Sequence, residues 1–198
     1  GIAVPKLWNA PDGSMFRAGA PIVISSASGV GKSTTARNII VHNILQKIPT
    51  VYVTNEDTKA EAIMGLYTIY VRVYLGQSFS FAETETWNHN ALRGKNPVRS
   101  DGMNLHNFAR QIEKYVDIVE AEYWSMSQII YGIEESENRL GVQAKCAILD
   151  YVQRIDPEPT SRNREIRLQM IEGSRMWANY VKSKQKVGIL ISQLNDDG

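Results

Sequence analysis

The sequence predicts an α/β fold: a mostly parallel, twisted sheet with helices on both faces. Two observations predict it. Short β-rich runs alternate along the chain with stretches whose apolar residues recur at helical spacing, the pattern of strands joined by crossover helices. The length of 198 residues is enough to bury a core and suits one domain, taken as residues 1–198, better than two.

The elements follow in order. Residues 21–25 read as a buried strand, residues 26–31 are mostly small, and 32–45 have helical apolar spacing. Residues 51–54 form a second strand that ends in the polar cluster Asn55, Glu56, Asp57 and Thr58, ahead of a helix over 59–73. Residues 76–104 are irregular, polar and broken by Gly and Pro, which points to surface loops with short helices. A helix is expected at 105–115, a strand at 116–119 and an amphipathic helix at 127–140. The clearest strand is 144–149, ending in Asp150. It leads through 151–156 into a loop at 157–162 that holds prolines and basic residues. A long helix over 164–185 precedes the last strand, 187–191, which closes on Ser192, Gln193, Leu194 and Asn195. The chain shows no internal repeat and no low-complexity segment.

Composition narrows the function classes. Lys and Arg total 22 against 21 for Asp and Glu, so the whole-molecule field does not steer the chain towards nucleic acid or an acidic membrane, and such binding needs a local patch. The lone cysteine, Cys146, cannot form an intrachain disulfide; it fits a reducing compartment, and its apolar surroundings place it in the core. No stretch approaches the roughly twenty apolar residues that span a bilayer, and the start lacks a signal-peptide pattern. The expectation is a soluble cytoplasmic protein with no membrane partner. Both ends read as cut, with the domain truncated at its C-terminal end.

The strongest chemical signal is SASGVGKS at 26–33, between a predicted strand and a predicted helix. Glycines let such a loop curl so that successive amides point at phosphate oxygens, and the helix N-terminus adds its own partial positive charge. The expected nucleotide-binding residues are Ser28, Gly29, Val30, Gly31, Lys32, Ser33 and Thr34. Lys32 would contact the β- and γ-phosphates, and the Ser33 hydroxyl would ligate Mg²⁺. A Gly/Ser-rich turn that happens to end in Lys-Ser is the plainer alternative, and the flanking strand and helix argue against it. The usual pattern begins with Gly, where this chain has Ser26.

Asp150 ends a strand at the edge where that loop lies, and an ionised carboxylate there can hold Mg²⁺ through water. On its own it would be better explained by turn formation. Hydrolysis also needs a group that orients or deprotonates water, and Glu56 is the best-placed carboxylate, with Asp57 as its understudy. The same cluster suits a helix cap in which Asp57 or Thr58 accepts free amides, and both roles are compatible. Gln193 ends the last strand, where a neutral amide can sense the γ-phosphate or serve only as a polar edge residue.

Together SASGVGKS, the TNED segment, LDYVQRID and SRMWANYVKSKQKVGILISQLN resemble the ATPase domain of the DnaB-type replicative DNA helicases, RecA-like P-loop motors that form hexameric rings. The resemblance covers most of the chain, including the lead-in at 1–21 with Gly19 before the first strand. LDYVQ and SQLN are its most telling parts, and in that family the helix before the second begins with a Ser-Arg pair, here Ser174 and Arg175. The resemblance implies Glu56 as catalytic glutamate, Lys32 and Ser33 at the phosphate and magnesium places, Asp150 at the second metal place and Gln193 as sensor. Ser28 and Val30 stand where the family usually has Pro and Met, which marks a divergent member of phage, plasmid or organellar type. The family's arginine finger lies beyond the last strand seen here, so none is assigned.

The resemblance further implies ATP and Mg²⁺ as ligands, a homo-oligomer in the form of a hexameric ring, single-stranded DNA as track, and primase and a helicase loader as partners. Arg154, Arg162 and Arg164, near the loop after Asp150, are candidates for the DNA side, although ordinary solvated charges would look the same. Two other readings stay open: a RecA-type recombination filament, and a nucleotide-switched loader or binding module that holds ATP and hardly cleaves it.

Overall fold

The computed structural model describes residues 2–3, 15–26, 31–76, 105–150, 152–159 and 165–193. Ahead of the main sheet, β1 (Ile2–Ala3) pairs antiparallel with β2 (Met15–Phe16) in a separate two-stranded sheet. The main chain path then runs β3 (Pro21–Ser26), α1 (Lys32–Leu45), β4 (Thr50–Thr54), α2 (Lys59–Ile69), α3 (Leu105–Tyr115), β5 (Val116–Glu120), α4 (Met126–Leu140), β6 (Cys146–Asp150), α5 (Ile166–Ser183) and β7 (Val187–Gln193). A π-helical turn over Tyr70–Tyr74 extends α2, so the helix expected at 59–73 is there but changes pitch in its last turn. A 3₁₀ turn over Val152–Arg154 follows β6.

The five main strands are all parallel, in the order β3-β7-β6-β4-β5. Alternation along each strand sorts the core into two layers. Tyr52, Ile118, Cys146, Ile148, Ile189 and Ile191 pack beneath α1, α2 and α3 with Ile40, Leu66 and Phe108. Val51, Val53, Val119, Ala147, Leu149 and Leu190 face the other way, against α4 and α5 with Ile129, Ile133 and Trp177. Both faces of the sheet are therefore covered, and Cys146 is a fully buried core thiol, as its surroundings in the sequence predict. Burying a side chain the size of Phe108 contributes roughly 2–3 kcal/mol, and Phe108 also stacks on Tyr70 with ring centroids 4.0 Å apart.

One strand departs from expectation. The apolar run of β3 predicts burial on both faces, yet the strand lies at the edge of the sheet, and Val23 is 59% exposed. An edge strand pairs on one side alone, here with β7, and its apolar composition does not reveal that position. Among the described residues, no helix is long and apolar enough to cross a membrane.

At the far edge, on β5, the buried carboxylate of Asp117 accepts hydrogen bonds from Arg139 Nε at 2.8 Å and Lys59 Nζ at 3.3 Å. Burial pushes its pKa up, but Ser136, Arg139 and Lys59 together outweigh that and hold it below the usual carboxylate range. Its stabilising contribution is complete above the unfolded carboxylate pKa of about 3.9 and is lost as pH falls through the lower folded value. We expect Asp117→Asn to cost about 2 kcal/mol at neutral pH, and the gap between variant and parent in urea denaturation to close as the solution is acidified. An equal gap at neutral pH and well below the folded value would remove the ion cluster as its cause.

Candidate functional site

The strand register gathers the polar strand ends at one place. Ser26 pairs with Gln193, Ile191 with Asp150, Asp150 with Thr54 and Thr54 with Glu120. All of these lie at the C-terminal edge, where open parallel sheets bind ligands in the crevice beyond their strands.

The start of α1 opens onto that crevice. Its N-cap, Gly31, has φ 91° and ψ 34°, a left-handed conformation that costs a residue with a Cβ, so glycine is required there. No side chain caps the helix and no acidic residue occupies its first turn. First-turn amides without a competing carboxylate form an anion-binding end, and Lys32 adds a full positive charge. Lys32 and Ser33 are partly buried and Thr34 is exposed. The loop residues Ser28, Gly29 and Val30 lie outside the described residues.

Ser33 and Asp150, far apart in sequence, meet at this edge. Asp150 is 2% exposed. Its Oδ2 accepts a hydrogen bond from the Tyr52 hydroxyl at 2.8 Å. Burial pushes the carboxyl pKa up, the Tyr52 and Ser33 hydroxyls pull it down, Asp57 raises it and Arg37 lowers it, with a net upward shift. This strand-end carboxylate is buried and engaged by a tyrosine that the sequence reading does not single out. Tyr52 lies two residues before Thr54, the register partner of Asp150, so alternation puts both side chains on one face.

The Oδ1 atom of Asp150 is buried without a hydrogen-bond partner. An orphaned carboxylate oxygen beside a serine hydroxyl is a donor set that suits Mg²⁺, a hard cation commonly held by one or two carboxylates with phosphate oxygens and water completing the shell. Among the described residues, no cluster of three or more His, Cys, Asp or Glu offers a metal cage.

The turn after β4 has a built geometry. Thr54 Oγ1 accepts the amide of Glu56 at 3.3 Å and that of Asp57 at 3.0 Å, which folds the chain back on the strand end and leaves the Glu56 side chain exposed at the tip. Asp57 does not cap the helix. Its carboxylate is ion-paired with Arg37 of α1. The cap on α2 is Thr58, which accepts the amide of Glu61 at 3.3 Å while Glu61 accepts that of Thr58 at 2.8 Å.

The two most telling sequence segments touch. Gln153, from LDYVQ, donates through Nε2 to Ser192 Oγ, from SQLN, at 2.7 Å, tying the 3₁₀ turn to the end of β7 beside Gln193. The Gln193 backbone closes β7, and its side chain lies outside the described residues, as do the side chain of Arg154 and all of Arg162 and Arg164. Ser174 and Arg175 do not begin a helix. They sit in the middle of α5, which starts at Ile166 because helical spacing already holds there.

This arrangement has solved counterparts. The chain superposes on a DnaB-like replicative helicase, a structure described with its interactions with primase, at a TM-score of 0.62 with 16% identity. It superposes on a second solved structure, the ATPase domain of another protein, at a TM-score of 0.65 with 14% identity. The fold is the RecA-like one of helicase ATPase domains. In both comparisons the RecA-like fold takes in 91% of this chain, which spans 40% of the first protein and 59% of the second. No protein-family model matches the chain, and no curated protein matches it in sequence.

Proposed function

We propose that this RecA-like domain binds ATP with Mg²⁺ and hydrolyses it as the motor of a DnaB-type replicative helicase. The observation that carries the reading is the meeting of Ser33 and the orphaned Asp150 oxygen beneath an uncapped, lysine-bearing helix N-terminus at the C-terminal sheet edge. A left-handed glycine, an acid-free first helical turn and a buried carboxylate without a partner together suit a turn that binds phosphate.

In this reading the amides of residues 28–34 and the Lys32 ammonium hold the triphosphate. Ser33 and Asp150 would hold the magnesium ion, which when bound neutralises charge on the phosphate oxygens. Glu56 orients a water molecule and accepts its proton as the water attacks the γ-phosphorus in line with the leaving oxygen. Gln193 reports on the γ-phosphate from the end of β7, and the hydrogen bond from Gln153 to Ser192 passes a shift of that strand end to the loop after β6. That loop, with Arg154, Arg162 and Arg164, faces single-stranded DNA in a ring of six copies whose seams complete each site, and primase and a loader act on the assembled ring. The cytoplasm, or the host cytoplasm for a phage protein, is the compartment where such a motor works.

Calorimetry of the folded protein with magnesium and ATP tests the foundation. We expect saturable binding that is weakened when Mg²⁺ is withheld. Absence of any heat of binding on material with a native circular dichroism spectrum would overturn the proposal.

A further inference from the structure

Resting on the assignment of Glu56 above, we infer that Arg37 is a positioning residue that fixes this glutamate relative to the phosphate loop, by clamping Asp57, its immediate neighbour. Arg37 sits one helical turn after Ser33 on α1, so it moves as one body with the helix that receives the phosphates. Its guanidinium donates through Nη2 to Asp57 Oδ2. Both side chains are largely withdrawn from water, at 18% and 23% exposure, where a charge pair is screened less than at the surface.

Three details show that this contact is built into the packing. First, the guanidinium reaches Asp57 by crossing α2 over Gly65. A Cβ at that glycine would come within 2.5 Å of Arg37 Nε and 2.6 Å of its Cδ, so a side chain larger than hydrogen would push the arginine aside. Second, Arg37 Nε is buried without a hydrogen-bond partner, so the ion pair with Asp57 is the main compensation for burying the group. Third, Thr54 Oγ1 takes the amides of both Glu56 and Asp57, so a displacement of Asp57 is transmitted to Glu56 through one shared acceptor. Thr54 anchors the turn to the sheet and Arg37 anchors it to the phosphate-loop helix. Glu56 stands between the two anchors.

The clamp separates positioning from binding. Neither side chain is placed among the phosphate-holding groups, but both act through charge on Asp150, the proposed magnesium ligand, so Gly65→Ala, which keeps both charges, is the variant expected to lower the rate of the chemical step and spare nucleotide affinity. Displacements of about 1 Å in a catalytic group cost up to roughly a hundredfold in rate, so Asp57→Asn and Gly65→Ala should each lower kcat about ten- to a hundredfold, with KM and calorimetric ATP affinity changed by no more than about twofold in Gly65→Ala. Gly65→Ala is the sharper of the two, because it dislodges the guanidinium and leaves both charges in the sequence. Arg37→Lys, which keeps the charge and loses the fork, should fall between parent and Asp57→Asn.

The experiment measures DNA-stimulated ATP hydrolysis by the full chain, with ATP affinity and hydrogen exchange at the Glu56 and Asp57 amides followed in parallel. Faster exchange at those two amides in Asp57→Asn and Gly65→Ala, with kcat falling alone in Gly65→Ala, is the expected result. Unchanged exchange and unchanged kcat would overturn the clamp, as would kcat and ATP affinity falling together in Gly65→Ala, which is what a merely structural contact gives. Should Glu56→Gln keep full turnover, the catalytic assignment of Glu56 fails instead, and the exchange measurement still decides whether Arg37 holds the turn.

Discussion

Replacing Lys32 with alanine is expected to all but abolish ATP turnover by the full-length protein in the presence of single-stranded DNA, with a loss of about a hundred- to a thousandfold. The argument is electrostatic. Lys32 is the first residue of α1, and it stands at a helix end that has no side-chain cap and no acidic residue in its first turn. Removing the ammonium takes away the one full positive side-chain charge in that first turn, in a site where preorganised charge is worth about 3–4 kcal/mol in the transition state. The loss should appear in kcat and in affinity, since the same group meets the triphosphate before and during reaction. The check is steady-state hydrolysis with calorimetry on the same preparation, with thermal unfolding as a control for folding. Turnover within about tenfold of the parent would mean that the phosphates sit elsewhere.

The second large effect is expected for Glu56→Gln, and its signature differs. A carboxylate that takes a proton from water contributes about 10²- to 10⁴-fold to rate, and glutamine keeps the size and loses the basicity. Turnover should drop by that order, whereas ATP affinity should persist, because Glu56 lies exposed at the tip of the turn after β4, on a different element from Lys32 and Ser33. The pair of variants therefore separates holding from cleaving. A Glu56→Gln protein that still hydrolyses ATP at the parent rate would send the search for the base elsewhere on the sheet edge, and Asp57 would be a poor successor while it is engaged by Arg37.

Much of this architecture is legible in the sequence because it depends on local patterns. The helix at 32–45 shows its full extent through apolar spacing that begins right after a glycine, and the structure reproduces those bounds. The strand ending at Asp150 is legible because a run buried on both faces has to be apolar. Edge position is not local. Val23 has the same side chain as Val53, yet one is exposed and the other fully buried, and only the pairing of distant strands separates them. The site shows the same division. Lys32, Ser33 and Asp150 sit where strand ends and a glycine-led helix announce them. Tyr52 and Arg37 look like ordinary members of a strand and a helix, and their roles emerge when β4 is laid beside β6 and α1 is laid across Gly65. A charged residue one turn past Ser33, on a helix otherwise rich in buried apolar positions, is the available hint for Arg37. Asp57 passes for a cap in the sequence because Asp and Thr are near equivalents at that task, and neighbouring positions compete for it.

The insertion of β7 between β3 and β6 has a consequence for how the molecule is made. Among the described main strands, β3 finds its hydrogen-bonded neighbour in β7, the one furthest from it along the sequence. A chain ending at Asp150 already carries Lys32, Ser33 and Glu56, but it lacks the strand that pairs with β3. Long-range closure of this kind is slow compared with local helix formation, so the sheet edge that carries Lys32 and Ser33 should be completed only once β7 has joined the sheet.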